Sequence, residues 1–307
     1  MDDRFKRWYG CLAVGALLIA QLPVWAQESI SLPHSDLGMP SPADSYQAVY
    51  VEDWQGGLDA RIGVQANLGG IAIVDDPVFR GGKVVRASIS RDENFSHIAN
   101  GAPRAELLFP TPVSFAQGQD YLIRWSTFLP SSFEFDDKQL VIVTQIHQGI
   151  LAGSPTIALT LLGSRYAISE RGGLHPERVS AAKWICCADI DRGKWVHWTL
   201  RYVPDDSGKK ALTELWKDGV SVFTSKGAPN SYLNDQHAYL KIGMYKSGWN
   251  SRQSNVTRIQ VFFGPVDVSR RSLLPAIGGD QAQADTVRRE GGEASQQNHV
   301  EKNNETY

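Results

Sequence analysis

A chain of 307 residues that is 42% hydrophobic and 21% charged, with 28 Gly, 15 Pro and 3 Cys, has enough apolar content for a substantial core. Collagen, a coiled coil and a disulfide-stapled miniprotein are excluded. Lys plus Arg is 31 against 33 for Asp plus Glu, so the formal charge of −2 supplies no global field to gather nucleic acid or an anionic membrane. Any polyanion must be held by a local cluster.

In chain order, residues 1–26 carry Arg4, Lys6 and Arg7, then an apolar run from Cys11 to Ala20, then Pro23 and Val24-Trp25-Ala26. This is the pattern of a cleaved signal peptide; the run is about ten residues where a spanning helix needs roughly 20. The expectation is an exported protein, secreted or periplasmic, with no membrane anchor after cleavage. Residues 27–45, with Pro33, Pro40 and Pro42, read as a leader, and 276–307, rich in Gly, Gln, Asn and charge, as a disordered tail. Setting the signal and tail aside leaves residues 27–275 with a formal charge of zero. Cys186 and Cys187 are then the only thiols, adjacent and in an oxidising compartment. A vicinal disulfide, a pair of buried thiols and an intermolecular bridge all remain open.

Residues 46–275 read as one all-β domain. Runs of strand character lie at Lys83–Ser90, Arg104–Phe109, Asp120–Leu129, Gln139–Gln148, Thr156–Leu162, Lys194–Val203, Ala211–Trp216, Val220–Thr224, Tyr239–Lys246 and Asn255–Phe263. Trp216-Lys217-Asp218-Gly219-Val220 is a hairpin signal, because Asp-Gly accepts the positive φ of a tight turn. Many strands without amphipathic helices imply two packed antiparallel sheets, a sandwich or jelly roll.

Side chains two apart on a strand share a face, which turns spacing into geometry. Gln145 and His147 point one way, opposite Leu140, Ile142, Thr144 and Ile146. Arg104 and Glu106 share a face, and Tyr239, Lys241, Gly243 and Tyr245 form a third polar row opposite Leu240, Ile242 and Met244. Each has a plain structural explanation. Arg104 with Glu106 is a surface ion pair worth at most about 1 kcal/mol, Gln145 and His147 face solvent, and Lys241 pairs with Glu106. It is their occurrence together, in this order, that points to a site.

Arg104-Ala105-Glu106-Leu107, Gln145-Ile146-His147 and Tyr239-Leu240-Lys241-Ile242-Gly243-Met244-Tyr245 resemble the three signature blocks of the jelly-roll polysaccharide lyases. Gly193–Trp198 and Glu214–Gly219 resemble the heparin lyase I-like and glucuronan lyase branch, related to the alginate lyases. The alginate-cleaving branch often carries Asn-Gln after its last Tyr, where Lys246-Ser247 stand here. The resemblance implies a concanavalin-like jelly roll and β-elimination on a uronic-acid polymer, whether glucuronan-like, heparin-like or alginate-like. A proton leaves C5 beside the carboxylate and the 4-linked sugar departs. That builds a dianion unless fixed donors neutralise the carboxylate. By resemblance Arg104, Gln145 and His147 are the neutralisers and Tyr245 the proton-transfer group, with His147 an alternative base. A free phenol has a pKa near 10, so Tyr245 as a base needs positive charge nearby. Lys241, Glu106, Tyr239, Lys246 and His97 are the expected substrate-binding residues, with Trp249 and Arg252 at the cleft edge. The expected partner is an acidic polysaccharide and the expected state a monomer. No redox cofactor or catalytic metal is expected, and a structural Ca²⁺ is compatible.

Three rivals stand beside this reading. A non-catalytic lectin-like module would use the same polar faces. A jelly-roll glycoside hydrolase needs two carboxylates flanking the bond, and its nearest candidate, Glu134-Phe135-Asp136-Asp137-Lys138-Gln139, has Gln139 where a third acid is wanted. A structural envelope protein accounts for export and the sandwich but not for the polar rows.

Overall fold

The computed structural model describes residues 46–109, 113–150 and 153–271; the expected signal peptide, leader and tail fall outside them. In chain order the strands are β1 (Tyr46–Glu52), β2 (Gly63–Gln65), β3 (Ile71–Asp75), β4 (Lys83–Ser90), β5 (Arg104–Phe109), β6 (Tyr121–Phe128), β7 (Val141–His147) and β8 (Ile157–Leu162). They continue as β9 (Arg165–Glu170), β10 (Ala181–Ile185), β11 (Trp195–Val203), β12 (Leu212–Lys217), β13 (Val220–Lys226), β14 (Tyr239–Tyr245), β15 (Arg258–Phe263) and β16 (Val266–Arg271). Two short 3-10 turns, Ala99–Gly101 and Ala188–Asp191, are the only helical segments among the described residues.

One sheet runs β13-β12-β11-β6-β15-β4-β3, with β16 pairing both β6 and β1. The other runs β10-β9-β8-β7-β14-β5-β2. Every strand pair is antiparallel, as short connections between alternating runs require. In β11, Val196, Trp198, Leu200 and Tyr202 are buried and alternate with less buried neighbours. They meet Ile146, Leu159, Tyr166, Ile168, Leu240, Ile242 and Met244 of the second sheet in one apolar core. The Asp-Gly hairpin forms as expected: Lys217 pairs with Val220, and Asp218 and Gly219 take φ of 49° and 80°.

Alternation fails in β7. A register shift between Ile142 and Thr144 inserts a bulge, so Val141 and Val143 join Ile146 in the core while Leu140 is exposed. The expectation that Leu140 and Ile142 line the core side with Ile146 is corrected by that one extra residue, which switches facing along the strand. Gln145 and His147 lie beyond the bulge and keep their shared outer face. Cys186 and Cys187 are bonded to each other.

Candidate active site

The second sheet buries one face against the first and turns the other outward. At its middle, β14 is hydrogen-bonded on both sides, to β5 throughout and to β7 with a register shift between Ile242 and Tyr245, so its side chains start from fixed positions. Leu240, Ile242 and Met244 enter the core, which sends Tyr239, Lys241, Gly243 and Tyr245 outward. The ladder then fixes who stands beside whom: Tyr239 opposite His147, Lys241 opposite Gln145, Gly243 opposite Glu106, and Tyr245 opposite Arg104. The three polar rows read from the sequence are therefore one patch on three adjacent strands.

Glu106 is the hub. Its Oε2 accepts from Lys241 Nζ at 2.6 Å and from Arg104 Nη1 at 3.3 Å, and its Oε1 from Gln145 Nε2. Gln65 Oε1, on β2, accepts from Arg104 at 3.1 Å and from Lys241 at 3.2 Å. Asn100 Oδ1 accepts from Arg104 Nη2. The Arg104 guanidinium carbon lies 4.3 Å from the centre of the Tyr245 ring, a cation–π arrangement. Gly243 makes this packing possible: a Cβ there would stand 2.2 Å from the Ala105 carbonyl oxygen, at a φ of +130°.

Arg104, Glu106, Gln145 and Lys241 are buried, while Tyr239, His147 and Tyr245 are half-buried. The rings form the accessible surface and the charges lie beneath them. Two cations facing one carboxylate leave a formal surplus of one positive charge in a poorly solvated cluster, where it acts far more strongly than it would in water. Burial lowers the pKa of Lys241, against the pull of Glu106. Burial likewise lowers that of His147, joined by the positive charges of Lys241 and Arg104 and opposed by Gln148 and Glu106. His147 Nδ1 is 2.8 Å from the Gln148 carbonyl; a carbonyl only accepts, so Nδ1 carries the proton and Nε2 of the neutral ring keeps its lone pair. The His147 ring lies 5.3 Å from that of Tyr239, whose pKa is raised by burial and by Glu106.

Some expectations are corrected. Arg104 with Glu106 is a buried pair with side-chain exposures of 7% and 3%, not a surface one. Glu106 meets three protein donors and holds them in place; it does not present a free group to substrate. Lys246 is wholly buried and pairs with Asp136 at 2.7 Å and with the Gln139 carbonyl at 2.9 Å, because its side chain alternates away from that of Tyr245. Trp249 is also wholly buried, so neither residue lines a cleft edge. His97 is exposed and lines a depression with Asn100 and Asn250, next to the Arg104 end of the patch. The hydrolase candidates fare no better. Asp136 is consumed by Lys246 and Ser254, and Glu134 is exposed on the loop between β6 and β7. Among the described residues no group of three or more His, Cys, Asp or Glu could hold a metal ion, and no helix is long and apolar enough to cross a membrane.

Gln65 and Asn100 were not visible from the sequence as members of the site. Gln65 sits on a three-residue strand with no alternation to read; Asn100-Gly101 signals a turn but not its proximity to Arg104.

The family model described as polysaccharide lyase matches residues 44–264. An endo-β-1,4-glucuronan lyase from the fungus Trichoderma reesei superposes with a TM-score of 0.60 at 15% identity, over 72% of this chain and 95% of that one. The alginate lyase A1-II′, of polysaccharide lyase family 7, gives 0.45 at 18% identity over 66% and 84%. An endo-1,3-β-glucanase from Streptomyces sioyaensis gives 0.46 at 14% identity over 76% and 99%. At such identities the first likeness is one of fold. Comparison with curated proteins finds no match.

Proposed function

Since the chain belongs to the polysaccharide lyase family, we propose that its outer patch on β5, β7 and β14 cleaves a uronic-acid polymer by β-elimination. The observation that carries this is the Arg104, Glu106, Gln145 and Lys241 cluster, with Tyr245 against the Arg104 guanidinium and His147 offering a lone pair. The surplus positive charge draws the substrate carboxylate and stabilises the second negative charge that develops as C5 loses its proton. The C5–H electron pair becomes the C4–C5 double bond, the C4–O bond breaks, and the departing oxygen takes a proton. Tyr245 and His147 are the two proton-transfer groups. Where C5–H and the leaving oxygen share a face of the ring, Tyr245 takes one proton and supplies the other; where they are on opposite faces, His147 takes and Tyr245 gives. The elimination involves no net redox change and asks for no redox cofactor. β-1,4-linked glucuronan is the first polymer to test, then alginate and heparin. Export through the N-terminal signal would put the enzyme where such polymers occur.

The test is a panel of these polymers followed by the ultraviolet absorbance of the unsaturated end, with wild type and Tyr245→Phe. The variant should keep substrate binding and lose roughly 10²- to 10⁴-fold in kcat, the usual contribution of a proton-transfer group. Full activity in the variant would remove Tyr245 from the chemistry. Binding without any unsaturated product from the wild type would make the protein a sugar-binding module.

A further inference from the structure

The ladder of the second sheet continues past the site. Arg104 pairs with Tyr245, Tyr245 with Ile142, Ile142 with Thr160, Thr160 with Ala167, and Ala167 with Trp184. Residues directly opposite in a ladder project to the same side, so Trp184 on the edge strand β10 shares the outer face of Tyr245. It lies four interstrand steps away, roughly 19 Å or about four sugar rings at ~4.8 Å per step. The residues between are uncharged: Ile142 is buried, and Thr160 and Ala167 are half-buried. Tyr166, Ile168 and Ile185 take the core side of β9 and β10, leaving Trp184 50% exposed.

A single exposed aromatic needs no explanation, but this one has a charged companion. The Arg165 guanidinium carbon is 4.8 Å from the Trp184 ring centre, and no carboxylate among the described residues pairs with Arg165. Along these strands the outward charges are Arg104, Lys241 and Arg165 against Glu106 alone, a surplus that suits an acidic chain.

We propose that Trp184 and Arg165 form a distal subsite for the polyuronate chain, the indole stacking on a pyranose ring and the guanidinium pairing with that residue's carboxylate. This rests on the polyuronate reading of the central patch, and makes the chain run across the strands from Tyr245 toward the β10 edge. An aromatic platform of this kind contributes about tenfold in affinity, and only to oligomers long enough to reach it.

The experiment titrates β-1,4-glucuronate oligomers of four and eight residues, and the matching alginate oligomers, into Tyr245→Phe alone and combined with Trp184→Ala or Arg165→Gln. Thermal melting confirms that each variant is folded; both changes are at exposed positions. Trp184→Ala should weaken the octamer roughly tenfold and Arg165→Gln several-fold, with the tetramer unmoved. Octamer affinity that ignores both substitutions, or a tetramer weakened as much as the octamer, overturns the subsite. The lyase reading fails separately: a wild type that yields no unsaturated product while octamer binding still depends on Trp184 removes the chemistry and keeps the subsite. No binding of any oligomer overturns both.

Discussion

At the scale of single residues, the site is built on a carboxylate that faces inward. Glu106 has three donors, and removing one partner of a buried charged group costs more than the pair contributes, so Arg104, Lys241 and Gln145 are held in one arrangement. His147 is the residue whose state is most open to measurement. Burial and two nearby cations push its pKa below the ordinary 6.5, so the neutral ring that accepts a proton persists to lower pH than for a free imidazole. The acid limb of kcat/KM should therefore have its midpoint below 6.5; a midpoint above that value would remove His147 as the group responsible. Strand periodicity put Arg104, Gln145, His147, Lys241 and Tyr245 on shared polar faces, and the resemblance to the lyase signature blocks singled them out. The sequence misled at Lys246, where one step of alternation past Tyr245 carries the side chain inward to Asp136. It was silent on Gln65, whose partnership with Arg104 and Lys241 joins residues 39 and 176 positions apart.

At the scale of elements, β14 depends on one glycine. A methyl group at Gly243 would meet backbone rather than a movable side chain, 2.2 Å from Ala105 O and 2.7 Å from Glu106 Cα. Gly243→Ala should displace β5, lower stability by at least about 2 kcal/mol and abolish turnover by moving Glu106. Gly56→Ala, with nothing within 4 Å, is the control and should stay within about 0.5 kcal/mol. Denaturant melts and activity assays of the two variants read this directly; a stable, active Gly243→Ala would refute the account. The ten strands expected from the sequence all exist, with ends shifted by a few residues. Those not foreseen include β2 and β3, which are short, and β9 and β10, whose outward side carries Arg165, Ala167, Ser169, Ala182 and Trp184 and blurs the alternation. The β7 bulge was illegible for a different reason: an extra residue changes facing without changing composition.

At the scale of the whole molecule, two sheets share one core, and that core contains an acid. Glu170 points inward from β9, is wholly buried, and is bonded by Ser225 of β13. Burial raises its carboxyl pKa from 4.5, against the hydrogen bonds of Ser225 and Thr213. A raised folded-state value means that the folded protein holds this proton more tightly than the unfolded chain. The resulting stabilisation is complete below the unfolded value and is lost as pH rises through the folded one. Glu170→Gln keeps an acceptor for Ser225 without the ionisation, so its advantage in Tm over wild type should grow as pH rises above 4.5, by roughly 2–4 °C per kcal/mol regained. A gap that is constant or shrinks with pH would show that burial does not raise the Glu170 pKa in the fold.

The pairing of β1 with β16 has one further consequence. Tyr46 lies opposite Arg271, so the first and last described strands begin and end side by side in the sheet that does not carry the patch on β5, β7 and β14. A short linker joining 46 to 271 directly would leave the outer face of the other sheet unobstructed while new termini are opened in a distant loop.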